Sequence, residues 1–226
     1  FLETKKPNIN FKSLEIPIEN LKIYLNFISV LKTKPKIDKI NIESKEIHID
    51  QLKKIIIKTK PSSLNSLITN RVTKGKILIN LELYIGDNLS LKDFIARGYV
   101  KEIDFKIDKS LIIRDIKFNF FADPSDILIK NAKGSMKGLL ISDANLQITK
   151  NDEIILKSDF VTDIKLDNKN IENYLPFLKK LKFVNKKTNF NAYLKNFLSI
   201  TFDKTLKINN YVYKNNGKVN KSFLKF

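Results

Sequence analysis

The chain has no cysteine and no tryptophan, a single histidine, and only six glycines and six prolines in 226 residues. Without a thiol there is neither a disulfide scaffold nor a cysteine-ligated metal site. With His48 as the sole imidazole, His-based catalytic triads and multi-histidine metal centres are excluded too. Arginine is also scarce: Arg71, Arg97 and Arg114 are the only three among 42 basic residues. No run of about 18 apolar residues occurs, so no segment reads as a membrane-spanning helix. The sequence opens on Phe1 and enters an extended pattern almost at once. It reads as a segment of a longer protein whose targeting signal or anchor lies outside it.

What is present is a large apolar fraction, 42%, which suits one large domain or two small ones with a real core and argues against disorder. The net charge is +18. Lysines neutralise phosphates, which invites a nucleic-acid reading. Arginine, however, is the residue that reads bases bidentately and stacks on them. Lysine rises here together with isoleucine and asparagine, as an AT-rich genome produces, and it is spread along the chain. Genome bias is therefore the first reading of the charge, attraction to an anionic membrane surface the second, and nucleic acid the last.

Alternation of period two dominates. Ile77, Ile79, Leu81, Leu83 and Ile85 alternate around Asn80, Glu82 and Tyr84. Ile103, Phe105 and Ile107 follow, then Ile116, Phe118 and Phe120. Ala144, Leu146 and Ile148 repeat the pattern, as do Phe160, Thr162, Ile164 and Leu166, and then Leu198, Ile200 and Phe202. Shorter strands are expected at Ile40 and Ile42 and at Ile47 and Ile49. One apolar and one wet face per strand is the mark of an antiparallel sheet. Turns are expected at Gly86-Asp87-Asn88, Asp123-Pro124-Ser125-Asp126, Asn151-Asp152 and Asn216-Gly217, which together make a meander. Helices are few. One is capped by Ser62 or Ser63 and carries Leu64, Leu67, Ile68, Arg71 and Val72; a short turn spans Phe27 to Leu31; residues 51–58 lean to helix. Asn170 caps a further segment with Ile171, Tyr174 and Leu175 that Pro176 interrupts and Phe177, Leu178 and Leu181 continue. The expected fold is mainly β with a few short helices acting as caps or plugs. Residues 1–74 hold N-terminal strands and short helices, 75–168 the meander, and 169–226 a helix with terminal strands.

No catalytic constellation emerges, and the chain is not expected to be an enzyme or to need a cofactor. His48 reads as a solvated strand residue. Asp123 and Asp126 read as turn-formers bonding local backbone. Gly134 and Gly138 lack the phosphate-loop context. Asn88-Leu89-Ser90 and Asn220-Lys221-Ser222 match a glycosylation pattern that an asparagine-rich chain meets by chance. Phe105, Phe118, Phe120 and Phe121 follow the apolar alternation, which favours core or lipid contact over base stacking.

The order of features resembles a known family. An extended start leads into Phe27-Ile28-Ser29-Val30-Leu31, then Lys34-Pro35-Lys36-Ile37-Asp38-Lys39-Ile40-Asn41-Ile42 and Ile47-His48-Ile49. This is similar to the N-terminal region of AsmA-like proteins of Gram-negative envelopes. Gly98-Tyr99-Val100, Ile127-Leu128-Ile129 and the stretch from Ala132 to Ile141 look like the repeated strands of its larger members. The likeness is one of pattern and reaches to about residue 166. It implies a long curved sheet with an open hydrophobic groove, held in the periplasm by an inner-membrane anchor outside this chain. It further implies phospholipid movement toward the outer membrane, with no catalytic residues; that no nucleic acid is bound is expected from the make-up of the charge.

The physical argument runs alongside. A sheet with one apolar face must cover it with a second sheet, helices or a ligand. Acyl chains ask only for a continuous apolar lining. The residues expected to supply it are Ile77, Ile79, Leu81, Leu83, Ile85, Ile103, Phe105, Ile107, Ile116, Phe118, Phe120, Leu146, Ile148, Phe160 and Ile164. The alternative is a structural or adhesin-like β-sandwich without a lipid ligand.

Overall fold

A computed structural model describes residues 1–31, 35–107, 111–150, 152–167, 189–205 and 207–223. The N-terminal strands are β1 (Leu2–Lys5), β2 (Ile9–Phe11), β3 (Leu14–Ile16) and β4 (Ile18–Leu25). Helix α1 (Phe27–Leu31) leads to β5 (Ile37–Ser44), β6 (Ile47–His48), α2 (Ile49–Ile57) and α3 (Ser63–Arg71). The long strands follow: β7 (Val72–Ile85), β8 (Leu91–Lys106), β9 (Ile112–Ala122) and β10 (Asp126–Met136). The last four are β11 (Leu139–Lys150), β12 (Ile154–Asp167), β13 (Asn189–Phe202) and β14 (Ile208–Phe223).

Their order in space is β1-β4-β5-β7 and then each strand in turn to β14, with β6 beside β7 and β2–β3 as a separate hairpin. Every pairing is antiparallel. The sheet is a long meander that does not close into a barrel. Residues of all three expected segments contribute strands to this one sheet.

The turns follow local chemistry. Asp123 Oδ1 accepts the backbone N–H groups of Ser125 and Asp126, each at 2.8 Å, which folds the β9–β10 connection. Gly138, at φ 74°, turns β10 into β11, a conformation open to glycine at little cost. Ser62 caps α3 by accepting the Asn65 N–H at 3.1 Å. Helices α2 and α3 pack on β7 and on each other, at one end of the sheet.

Several expectations are corrected. The strand expected through Ile49 is only two residues long, because Ile49 opens α2. His48 is exposed as expected, but it precedes that helix, and its N–H donates to Gln51 Oε1 at 3.2 Å. Val72 belongs to β7, not to the preceding helix. Asn216-Gly217 is not a turn but mid-strand in β14, opposite Lys195 and Leu194. Glycine is needed there for close approach, since a Cβ would lie 2.0 Å from the Tyr193 carbonyl oxygen. The helix expected from Asn170 through Leu181 lies outside the described residues.

Candidate functional site

In an antiparallel ladder, directly opposed residues point to the same face, so the register defines which side chains meet. One row starts at Ile79 and crosses Gly98, Phe120, Ile129, Leu146, Ser158, Leu198 and Tyr213. A second starts at Leu21 and crosses Ile42, Leu81, Ala96, Ala122, Ile127, Ile148, Leu156, Ile200 and Tyr211. Leu83 continues it through Ile40 to Ile23 on one side and to Phe94 on the other. Toward the opposite end, Ile77 pairs with Val100 and that with Phe118, while Ile103 pairs with Ile116 and Phe105 with Ile113. Ile164 joins through Leu139 and Ala192, and Phe160 is opposite Asn196. Ile85, opposite Leu91, and Ile107, two residues past Phe105, end the same alternation. Thirteen of the fifteen residues named from the sequence thus share one face; Ile85 lies beyond a register shift and Ile107 beyond the end of β8.

Strict alternation alone would not have kept them there. Glu102, Asp115, Asn131 and Asp143 have φ of 56°, 50°, 56° and 50°, and each is an extra residue in its strand. Each β-bulge switches the parity of its strand, so that Gly98 and Val100 before Glu102 lie on the same face as Ile103 and Phe105 after it. The bulges occur in the four consecutive strands β8 to β11. The bulged Asp115 and Asn131 donate their N–H groups to Asp104 Oδ1 at 3.2 Å and Asn145 Oδ1 at 3.3 Å.

No second layer covers this face among the described residues: fourteen of the fifteen residues are half-buried and Ile107 is exposed. Among the described residues only Ile18, Ile47, Ile49, Val72, Val100, Ala144 and Ala192 are buried hydrophobics, and none of the fifteen is among them. Large side chains instead lie over small ones of the same layer: a Cβ on Gly98 would meet the Phe120 ring at 2.6 Å, and one on Gly134 would meet Ile113 and Ile116. The face also holds one polar cluster that the sequence did not flag. Asn196 is 5% exposed; its Nδ2 donates to the Phe160, Thr162 and Leu194 oxygens at 3.1–3.2 Å, and its Oδ1 accepts from the Tyr213 hydroxyl at 2.7 Å.

The reverse face is mixed, with Leu78, Ile95, Tyr99, Leu128, Val161 and Phe197 set among polar residues. Asn80, Glu82, Lys106, Lys117, Asn119, Asn145 and Lys165 all lie on it. Phe121 is there as well, opposite Arg97 and Leu128, so it departs from the alternation expected of it. Glu82 pairs with Arg97 at 3.1 Å and Lys39 at 3.5 Å, and Glu46 bridges Lys76 and Lys101. All three arginines have partners inside the fold: Arg97 has Glu82, Arg114 reaches Asp104 at 3.9 Å, and Arg71 donates to the Ile107 carbonyl at 2.7 Å. Among the described residues no group of three acidic or histidine side chains is placed to hold a metal.

Compared with known proteins, the chain matches no described family, no curated protein and no solved structure. The functional reading therefore rests on the apolar face alone. Leucine, isoleucine and phenylalanine side chains without hydrogen-bonding partners offer contact to another apolar surface, whether hydrocarbon or protein. The missed members of the face, such as Ile127, Ile129, Leu156 and Phe94, were visible in the sequence only as hydrophobic runs near turns.

Proposed function

We propose that the apolar face binds phospholipid acyl chains, and that the chain is a non-enzymatic, lipid-conducting piece of a cell-envelope protein of the AsmA-like kind. The observation that carries the reading is the pair of rows from Ile79 to Tyr213 and from Leu81 to Tyr211, largely apolar and covered by no second layer among the described residues. An acyl chain laid across such rows gains about 0.8 kcal/mol per CH₂ removed from water, without specific polar contacts. In that setting the chain stands in the periplasm, its membrane anchor outside this sequence, and lipid passes between inner and outer membranes.

The test is the lipid content of the purified chain. Native mass spectrometry is expected to find co-purified phospholipid, and photo-crosslinkers at Leu81 and Phe118 to label acyl chains. Leu81→Asp and Phe118→Asp are expected to remove the lipid while circular dichroism still reports a sheet, because both positions border the ligand more than packed protein. A lipid-free protein whose Leu81→Asp variant unfolds would identify a closed, structural packing of this face instead.

A further inference from the structure

A cluster of large exposed apolar side chains marks a surface that something covers, and one end of this sheet holds such a cluster. The β4–β5 connection carries α1, whose Phe27 is 75% exposed and Leu31 69%, with Ile28 and Val30 also exposed. Beside it, the β7–β8 connection holds Leu89, 72% exposed, in a single helical turn (Asp87–Leu89). The two connections adjoin: Pro35, Lys36 and Ile37 line one open cleft together with Ile85, Asn88 and Leu89. The helix is fixed from within and does not owe its place to its apolar side chains. Ser29, buried, donates from Oγ to the Asn26 carbonyl at 2.7 Å and accepts the Lys36 N–H at 2.8 Å. Among the described residues, the other connections at this end are built on Asp123, Asp152 and Asp203.

Charge selects the partner. From residue 27 to residue 37 the sequence has three lysines and no acidic residue. Counted over both connections, residues 27–38 and 86–92, the tip has four lysines against Asp38 and Asp87. Apolar side chains at a tip of net positive charge fit the interface of an anionic bilayer, where the former enter the acyl boundary and the charge favours phosphates. The tip is also continuous with the apolar face, since Leu25 pairs with Ile37 and Ile85 with Leu91 at its last rungs.

We infer that α1 and Leu89 form a membrane-inserting tip that seats this end of the sheet in an anionic phospholipid surface. The inference builds on the lipid reading of the face, but it stands on different residues and can fail separately. The full chain is mixed with vesicles of phosphatidylcholine alone or of phosphatidylcholine and phosphatidylglycerol in equal parts, then floated on a density gradient. It is expected to float with the anionic vesicles, and F27S/L31S to lower that partitioning at least about tenfold. Leu81→Asp is expected to float like the parent while losing co-purified lipid. Because the chain has no tryptophan, Ile28→Trp supplies a sole indole reporter whose emission is expected to shift blue on anionic vesicles. Failure of the parent to float, flotation of F27S/L31S equal to the parent, or an indole emission from the Ile28→Trp variant that stays unchanged on bound vesicles would each overturn the tip. A tip that passes these tests beside a face that carries no lipid would overturn the conducting face alone.

Discussion

Asn196 sits among apolar neighbours with its whole amide engaged, so its removal leaves several groups without partners at once. Losing it strands the buried Thr162 hydroxyl and leaves the Tyr213 hydroxyl, on an exposed side chain, without its protein partner. Asn196→Ala is expected to cost about 1–3 kcal/mol in urea denaturation, and Tyr213→Phe about 0.5–1.5 kcal/mol. The double variant is expected to cost less than the sum, because both remove the same 2.7 Å bond. Glu46 gives a pH-dependent counterpart on the reverse face. Hydrogen bonds from Lys101 first and Lys76 second hold its carboxyl below the ordinary 4.5. The same contact raises the Lys101 ammonium above its ordinary value. A lowered carboxyl stabilises the fold above its unfolded-state pKa, and that contribution is lost as pH falls through the folded one. A raised ammonium contributes below its ordinary 10.5 and loses that as pH climbs through the folded value. Glu46→Gln is thus expected to melt slightly below the parent at pH 7, with the gap closing as pH drops below 4.5. Thermal melts of the two proteins across that range would check it.

At the scale of the element, the bulges decide which way each long strand faces. Asn131, at φ 56°, occupies a region that asparagine tolerates and β-branched residues resist. Asn131→Gly is expected to be near neutral and Asn131→Val to cost about 1–3 kcal/mol, measured by chemical denaturation. Deleting Asn131 is a harsher test: it would turn one half of β10 over, sending Ile127 and Ile129 to the side of Lys133. Such a protein is expected to lose its cooperative transition. These same bulges mark where sequence reading stops. Alternation is legible on either side of them, so Ile79 to Leu83, Phe118 with Phe120, and Leu146 with Ile148 were assigned from the residues alone. Nothing in Lys101-Glu102-Ile103 announces the parity switch, because the extra residue is defined only by the strand opposite it. Asn216-Gly217 failed for the converse reason. Its residues favour a turn, but an uninterrupted ladder with β13 outweighs that local preference. The apolar character of α1 was plain in the sequence; its exposure, which depends on what does not pack against it, was not.

Across the whole molecule, from β8 onward each strand pairs only with the strands before and after it in the main ladder. Stability in such an arrangement is close to a sum over neighbouring pairs. Fraying is then expected from the two edges, β1 and β14, and β14 is exposed along nearly all its length. Hydrogen exchange should show the slowest amides in β8 to β12 and the fastest in β1 and β14, a gradient that a single cooperative core would not give. Openness has another consequence, one of length. A barrel fixes its strand number through closure, but an open ladder has none to satisfy. Eleven strands at about 4.8 Å apart make a track of roughly 50 Å, and each added hairpin lengthens it by about 10 Å. The sheet is therefore a ruler whose reach can be reset two strands at a time, with every existing rung left as it is.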